Sequence, residues 1–259
     1  MKIPIYQVDA FTGKLFGGNP AAVCPLDKWL DETIMQNIAA ENNLSETAFF
    51  VKKGKDYELK WFTPEVEINL CGHATLASAH VIFNHLGFNQ DTIRFQTRSG
   101  ELSASKSGDL ISLDFPASKP SPVSEPMGLS EALGRNPIGV FKSRDIMALL
   151  ENEEGILAVK PDFKRLINVD AHAIIITAPG EKCDFVSRFF APRQGINEDP
   201  VTGSSHTTLI PFWAERLKKK KLHAMQLSKR TGELFCEYLG ERVLISGRAV
   251  TYMVGEIVL

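Results

Sequence analysis

One pattern occurs twice in this chain, and it constrains the fold more than any other feature. The segment 61–64 (Trp-Phe-Thr-Pro) matches 189–192 (Phe-Phe-Ala-Pro) at an offset of 128 residues. The segment 98–102 (Arg-Ser-Gly-Glu-Leu) recurs at 230–234 (Arg-Thr-Gly-Glu-Leu) at an offset of 132 residues. An internal repeat of this length dictates architecture. It predicts two similar lobes, and a cleft between lobes is a preferred place for a ligand.

A boundary near the middle of the chain fits the repeat. Residues 116–122 are dense in proline and small polar residues, as is typical of a linker. We therefore predict an N-terminal lobe over 1–116 and a C-terminal lobe over 117–259. A last strand, about 249–259, has no first-half counterpart and is a candidate for packing across the lobes.

The pattern of apolar residues predicts an α+β fold. Helical periodicity is expected over 31–42, 74–86 and 206–217, and short strands surround the second and third of these helices. A strand is also predicted over 155–159. Each half is then a barrel-like set of strands around one apolar helix. Strands and helices do not alternate regularly, which argues against a doubly wound parallel sheet.

Composition narrows the class of protein. The net charge of −2 gives no indication of nucleic acid or membrane binding. The four cysteines lack C-x-x-C spacing, which favours a reduced intracellular protein. The N-terminus lacks the apolar run of a signal peptide, and no stretch approaches membrane-spanning length. We expect a cytoplasmic protein.

Both central helices begin at a glycine, Gly72 in the first half and Gly203 in the second. A helix N-terminus presents free N–H groups and a positive dipole end, which suit an anion. Two such ends facing one cleft would clamp a carboxylate. The alternative is two ordinary helix starts, with Thr75 and Ser204 as capping residues.

Three ionisable side chains are candidates for proton transfer. Glu46 enters an apolar strand, where a carboxyl group can act as general acid and base near neutral pH. His73 stands in the first glycine loop, and Asp199 lies in an insertion of the second loop. Asp199 could bind a substrate hydroxyl or amine, or orient His73. Solvated strand ends and a simple turn at Asp199 are the alternatives.

Cys71 beside His73 suggests a thiol nucleophile, although an unpaired cysteine is more often a small buried apolar residue. Cys71, His73, Asp199 and His206 can be imagined as metal ligands, but they have no standard metal spacing. We predict no metal. The chain also lacks a P-loop and a Rossmann glycine fingerprint.

Five segments together resemble the phenazine-biosynthesis isomerase (PhzF-type) family. They are 9–12 (Asp-Ala-Phe-Thr), 16–23 (Phe-Gly-Gly-Asn-Pro-Ala-Ala-Val), 43–47 (Asn-Leu-Ser-Glu-Thr), 71–75 (Cys-Gly-His-Ala-Thr) and 198–206 (Glu-Asp-Pro-Val-Thr-Gly-Ser-Ser-His). The resemblance spans nearly the whole chain. It implies the diaminopimelate epimerase-like fold, with two pseudo-symmetric lobes. It also implies an isomerase that needs no cofactor and is commonly a homodimer.

The resemblance assigns roles to residues of this chain. It implies that Glu46 is the general acid/base and that His73, Asp199 and Ser204 contact the substrate. We predict substrate binding at Asn19, Gly72, Gly203 and Ser204, and catalysis at Glu46, His73 and Asp199. Related epimerases and racemases carry one cysteine at each helix start. Here Cys71 stands at the first position but Thr202 at the second, which disfavours a two-thiol mechanism.

The predicted function is isomerisation of a small carboxylate-bearing molecule by proton transfer. An alternative, from another class, is a ligand-binding or protein-interaction module on the same fold, because fold does not fix function. The two differ in whether Glu46 and Asp199 share a closed cleft, and a Glu46 that is exposed and points away from both glycine loops would favour the binding module. The sequence does not name the substrate.

Overall fold

The chain divides into two compact units. In the computed structural model, which describes all residues from 1 to 259, the first unit is Met1–Asp114 together with Ser246–Leu259. The second unit is Phe115–Ile245. The chain therefore passes from one unit to the other twice.

Both units combine helices and strands. The helices are α1 (Glu32–Asn42), α2 (Gly72–His85), α3 (Leu129–Leu133), α4 (Glu153–Ala158), α5 (Phe163–Leu166) and α6 (Gly203–Leu217), with a 3-10 turn at Pro192–Gln194. The strands are β1 (Lys2–Ala10), β2 (Asn19–Leu26), β3 (Glu46–Lys53), β4 (Asp56–Phe62), β5 (Glu67–Ile68), β6 (Thr92–Thr97), β7 (Gly100–Ser107), β8 (Leu110–Pro116), β9 (Ser121–Pro122), β10 (Gly139–Lys142), β11 (Ile146–Leu149), β12 (Ile174–Pro179), β13 (Phe185–Ala191), β14 (Ile196–Asp199), β15 (Lys221–Gln226), β16 (Gly232–Tyr238), β17 (Arg242–Gly247) and β18 (Ala249–Val258). No helix combines the length and the apolar character needed to cross a lipid bilayer.

The first unit is a set of strands around α2. This helix packs against β1, β2, β3, β7 and β18, and nearly all of its first ten residues are buried. Such burial explains why its sequence is apolar on every side and not amphipathic. Helix α1 covers the other face of β2 and β3, where Met35 and Ile38 join Cys24 and Phe49 in a second apolar cluster.

The second unit has its own buried helix, α6. It packs against β15 and β16. Trp213 of α6 is fully buried, and its indole N–H donates to Oγ1 of Thr177 in β12 at 3.0 Å. A separate apolar cluster packs α3, α4 and α5 against strands β11, β12 and β13. The helices contribute Leu133, Ile156 and Leu166 to it.

The repeat read from the sequence is a repeat of strand pairing. In the first unit β2 and β3 are parallel, β3 and β4 antiparallel, β4 and β6 parallel, and β6 and β7 antiparallel. In the second unit β11, β12, β13, β15 and β16 pair in the same order and with the same senses. The segments 61–64 and 189–192 end β4 and β13, respectively. Each unit is thus an α+β structure built on one plan.

Two segments differ from the sequence predictions. Residues 155–159, predicted as a strand, lie mostly in α4, because Asn152 caps this helix by accepting from the N–H of Gly155 and two glutamates occupy the first turn. Strand β18, which the 116/117 boundary assigned to the C-terminal lobe but which was also the candidate for packing across the lobes, belongs to the first unit. It pairs along its length with β1, with Lys2 opposite Val258 and Ala10 opposite Ala249.

Candidate active site

Four predicted site residues meet inside the first unit. Asn19 begins β2, Glu46 begins β3, and Gly72 and His73 open α2. Strands β2 and β3 are parallel neighbours, and α2 packs against both. The starts of both strands therefore lie beside the start of the helix, although the three segments are far apart in the sequence.

Glu46 and His73 form a buried pair. Oε2 of Glu46 lies 3.1 Å from Nε2 of His73, and the two residues are only 7% and 4% exposed. The two atoms are close enough to interact strongly, but their angles do not make a well-formed hydrogen bond, and neither atom has a hydrogen-bond partner elsewhere. At this distance the two groups attract each other strongly, since Coulomb attraction depends on separation and not on hydrogen-bond angles.

The opposite edge of the His73 ring contacts two further side chains. Nδ1 lies 3.2 Å from Nδ2 of Asn19 and 3.5 Å from Sγ of Cys71. All of these residues are buried. The contacts on Nδ1 orient the ring so that Nε2 faces Glu46.

Burial and charge oppose each other at His73. Burial is the largest single influence and lowers the pKa of the imidazole, but the interactions of the ring with Cys71 and Glu46 outweigh it and hold the pKa well above 6.5. Burial, with the Glu46 carboxylate, also raises the pKa of the Cys71 thiol. A thiol that keeps its proton carries no charge. The carboxylate of Glu46 is therefore the anion that favours the protonated ring of His73.

A strained turn delivers Asn19 to this site. Phe11 and Phe16 adopt left-handed backbone conformations with φ of 61° and 68°, which are unusual for aromatic residues. Gly18 has φ of 61°, and a Cβ there would lie 2.0 Å from the carbonyl oxygen of Ala10. The N–H of Phe16 donates to Asp9 at 2.9 Å. Strain of this kind persists where the surrounding structure imposes it, and it concentrates at functional sites.

Asp199 lies in a second cluster, inside the second unit. It ends β14 just before α6, where Gly203 and Ser204 are the first two residues. The hydroxyl of Thr202 donates to Oδ2 of Asp199. The side chain of Gln226 donates to the backbone oxygen of Asp199 at 2.9 Å and accepts from the N–H of Thr202 at 2.9 Å. The loop is therefore held by side chains of its own unit.

Gln226 is a member of this cluster that the sequence analysis missed. It ends β15, where Leu222, Ala224 and Gln226 alternate on the buried face. The alternation of apolar residues along this strand could have identified Gln226. It places the Gln226 amide on the buried face, where the amide needs hydrogen-bond partners.

Neither helix start is capped in the ordinary way. The N-cap residues are Cys71 for α2 and Thr202 for α6, and neither side chain makes a capping hydrogen bond. The hydroxyl of Thr75, the alternative cap, donates to the carbonyl of Cys71. The first N–H groups of both helices are therefore not satisfied by their N-cap side chains.

His206 has a structural environment. Its ring is fully buried in α6, and Nδ1 lies 2.8 Å from the carbonyl oxygen of Thr202, one turn back. Burial lowers its pKa to about 4, so the ring is neutral at physiological pH. Of the four residues considered as metal ligands (Cys71, His73, Asp199 and His206), Cys71 and His73 lie close together. The third potential ligand beside them is Glu46. The expectation that the Glu46 and Asp199 clusters serve one substrate stays a prediction.

Comparison with known proteins gives a consistent result. A family model described as phenazine biosynthesis-like protein (PhzC-PhzF) matches residues 8–255. An uncharacterized isomerase of Pseudomonas aeruginosa is 52% identical over 257 residues, which cover 99% of each chain. The crystal structure of a PhzF-family phenazine biosynthesis protein from Enterococcus faecalis is 48% identical, covers 100% of both chains and gives a TM-score of 0.98.

More distant structures extend the likeness of fold. A hydroxyproline epimerase from Agrobacterium vitis, solved with bound trans-4-hydroxy-L-proline, is 10% identical, with a TM-score of 0.65 over 99% of this chain and 92% of the epimerase. Identity this low shows the fold alone. The predicted α+β fold of the diaminopimelate epimerase type is confirmed.

Proposed function

Because the chain belongs to the phenazine biosynthesis-like (PhzF) family, we propose that it is a cofactor-independent isomerase that moves a proton within a small carboxylate-bearing substrate. The observation that carries the proposal is the buried pair of Glu46 and His73, whose facing atoms lie 3.1 Å apart. A carboxylate and an imidazole held together out of water form an acid/base unit.

In the proposed reaction, Glu46 takes a proton from a carbon atom next to a conjugated or carboxyl group. The electron pair of the broken C–H bond delocalises into that group, and the proton returns to a different carbon of the same molecule. No electrons enter or leave. The protonated ring of His73, held by Asn19, balances the charge of Glu46 and can relay its proton.

The substrate carboxylate is assigned to the helix starts. The N–H groups at Gly72 and Gly203, with the hydroxyl of Ser204, suit an anion. Asp199 is assigned to a substrate hydroxyl or amine. Stabilising charge on the substrate carboxylate would also stabilise the negative charge that develops on proton removal.

A two-thiol epimerase is the less favoured mechanism. Thr202 stands where such enzymes need a second cysteine, and its hydroxyl is engaged with Asp199. The Cys71 thiol keeps its proton because burial and the neighbouring Glu46 carboxylate raise its pKa. A single carboxylate base fits these residues better than two thiols.

Deuterium exchange tests the proposal. Small carboxylates with an activated C–H bond are incubated with the protein in deuterium oxide, and incorporation is followed by proton NMR. Glu46→Gln should slow exchange by about 100-fold or more while the fold is kept. Glu41→Gln, an identical change at an exposed position of α1, is the control and should match the parent. A parent protein that binds carboxylates without exchange would favour the binding module.

A further inference from the structure

We propose that Glu46, Cys71 and His73 form a site for a thiophilic divalent cation, Zn²⁺ in the first place, and that the bound ion switches the isomerase off. The binding half rests on ligand geometry and burial and does not depend on the proposed function. The inhibitory half rests on the proposed function, because it assumes that Glu46 is the proton-transfer group.

The three side chains already stand close to ligand spacing. One ligand atom from each, a carboxylate oxygen, a sulfur and an imidazole nitrogen, all lie within 4.8 Å of one another. Tetrahedral zinc with bonds of about 2.0–2.3 Å places its ligand atoms roughly 3.5 Å apart. Sγ of Cys71 and Nδ1 of His73 are separated by 3.5 Å. One ion binds only one nitrogen of the ring, and Nδ1 is the nitrogen beside Cys71, so the Glu46 carboxylate must turn from Nε2 towards Nδ1 for the three ligands to meet.

Buried polar atoms without hydrogen bonds give an independent indication. Nε2 of His73 and Oε2 of Glu46 are inaccessible to solvent and lack a hydrogen bond of proper geometry. Both residues are more than nine-tenths buried. The Glu46 oxygen has only its contact with the His73 ring, and a metal cation would satisfy this buried carboxylate more fully.

The kinds of ligand select the kind of ion. Thiolate and imidazole favour zinc and similar soft or borderline cations, whereas magnesium and calcium prefer sites made of oxygen atoms. Three protein ligands leave a fourth position for water or for a small carboxylate. Cys71 and His73 are fixed by the first turn of α2 and Glu46 by β3, so the ligands lie on rigid elements.

Binding would change the chemistry of the site. As the ion binds, the Cys71 thiol and the protonated ring of His73 each give a proton to solvent, and the sulfur and one ring nitrogen donate lone pairs to the ion, so that no oxidation state changes. A Glu46 oxygen that donates its lone pair to the ion can no longer accept a proton from carbon. Zinc is then an inhibitor of the proposed reaction and not a cofactor of it.

Cobalt(II) is the probe for metal binding, since it binds in place of zinc and its complexes absorb light. The metal-free full-length protein is titrated with Co²⁺. We expect one ion per chain, a sulfur-to-cobalt charge-transfer band, and loss of that band when Zn²⁺ is added. Cys71→Ser should abolish the band, because serine replaces the thiolate but still suits the N-cap position. Cys183→Ser, at a half-buried cysteine of the second unit, should keep it.

Absence of the band in the parent, or its survival in Cys71→Ser, would overturn the site. Glu46→Gln gives a second measure: the sulfur band should remain while cobalt binds at least about tenfold more weakly, and unchanged affinity would also overturn it. Circular dichroism checks that each variant is folded. If cobalt binds as described and no substrate is turned over, the proposed function fails and the metal site stands. If turnover occurs and Zn²⁺ does not slow it, the inhibitory half is wrong.

Discussion

Nε2 of His73 lies 3.1 Å from Oε2 of Glu46, and water reaches almost none of either side chain. A carboxylate in such a place would be unfavourable without a cation beside it. The negative charge near His73 in turn outweighs burial and raises the pKa of the ring. The Glu46 carboxyl group therefore favours the charged form of His73.

A double-mutant cycle on stability measures this coupling without any substrate. His73→Asn alone should destabilise the protein by about 3 kcal/mol, because it leaves the buried carboxylate without its cation. Adding Glu46→Gln should recover part of that loss, giving a coupling of roughly 1–3 kcal/mol. Urea titrations give the free energies of unfolding of the parent, the two single variants and the double variant, and the coupling follows from these four values.

The exposed ion pair of Lys2 and Glu256 is the control for this cycle. Its atoms lie 2.6 Å apart, but the side chains are 68% and 54% exposed. Replacing both with alanine should show a coupling below about 1 kcal/mol. Equal coupling in the two cycles would contradict the special role of burial at Glu46 and His73.

His206 should make the protein sensitive to acid. Burial lowers its pKa from 6.5 to about 4, so between these values the unfolded chain binds a proton that the folded chain does not. Its stabilising effect is complete above pH 6.5 and is lost as the pH falls towards 4. The difference amounts to about 3 kcal/mol. The midpoint of urea unfolding at pH 7 and pH 4.5 measures it.

A His206→Gln variant isolates this contribution. Its stability at pH 7 will be lower, because the ring contacts are lost, but the further loss on acidification should be smaller than in the parent. An identical acid-induced loss in parent and variant would show that other groups are responsible.

Gly18 and Gly54 allow the strained turn before Asn19 to be tested. Their φ angles are nearly equal, 61° and 62°, but a Cβ at Gly18 would meet the carbonyl oxygen of Ala10 at 2.0 Å, whereas nothing lies within 4 Å at Gly54. Gly54→Ala should destabilise by about 1 kcal/mol through its backbone conformation alone. Gly18→Ala should exceed this by at least about 2 kcal/mol, because backbone atoms must move. Similar melting temperatures for the two variants would refute the steric argument.

Asp199→Asn tests whether the second cluster takes part in the proposed reaction. Asparagine retains an oxygen that can accept from Thr202, so the loop should keep its shape. Loss of the carboxylate should lower kcat/KM by about tenfold or more. Asp170→Asn, a change at a fully exposed side chain, is the control. A kcat/KM unchanged by Asp199→Asn would remove this residue from the reaction.

The sequence predicted the plan of the fold but not all of its boundaries. The repeated segments lie at equivalent ends of β4 and β13, because matching strands of one pairing plan need matching residues. The strand predicted at 155–159 was wrong, since the capping of α4 by Asn152 is a local signal that outweighs a short apolar run. The homodimer expected from the family resemblance stays a prediction, which light scattering would test.

By itself the sequence determined the α+β class, the two buried helices and the candidate residues at their starts, because periodicity and glycine positions are local properties of the chain. Only the tertiary structure decided that Glu46, Cys71 and His73 are neighbours, that Gln226 holds the Asp199 loop, and that β18 pairs with β1. These facts depend on strand pairing and helix packing between segments distant in sequence. No local pattern encodes such distances, and it is these distances that set the charge of His73 and bring three ligand atoms together.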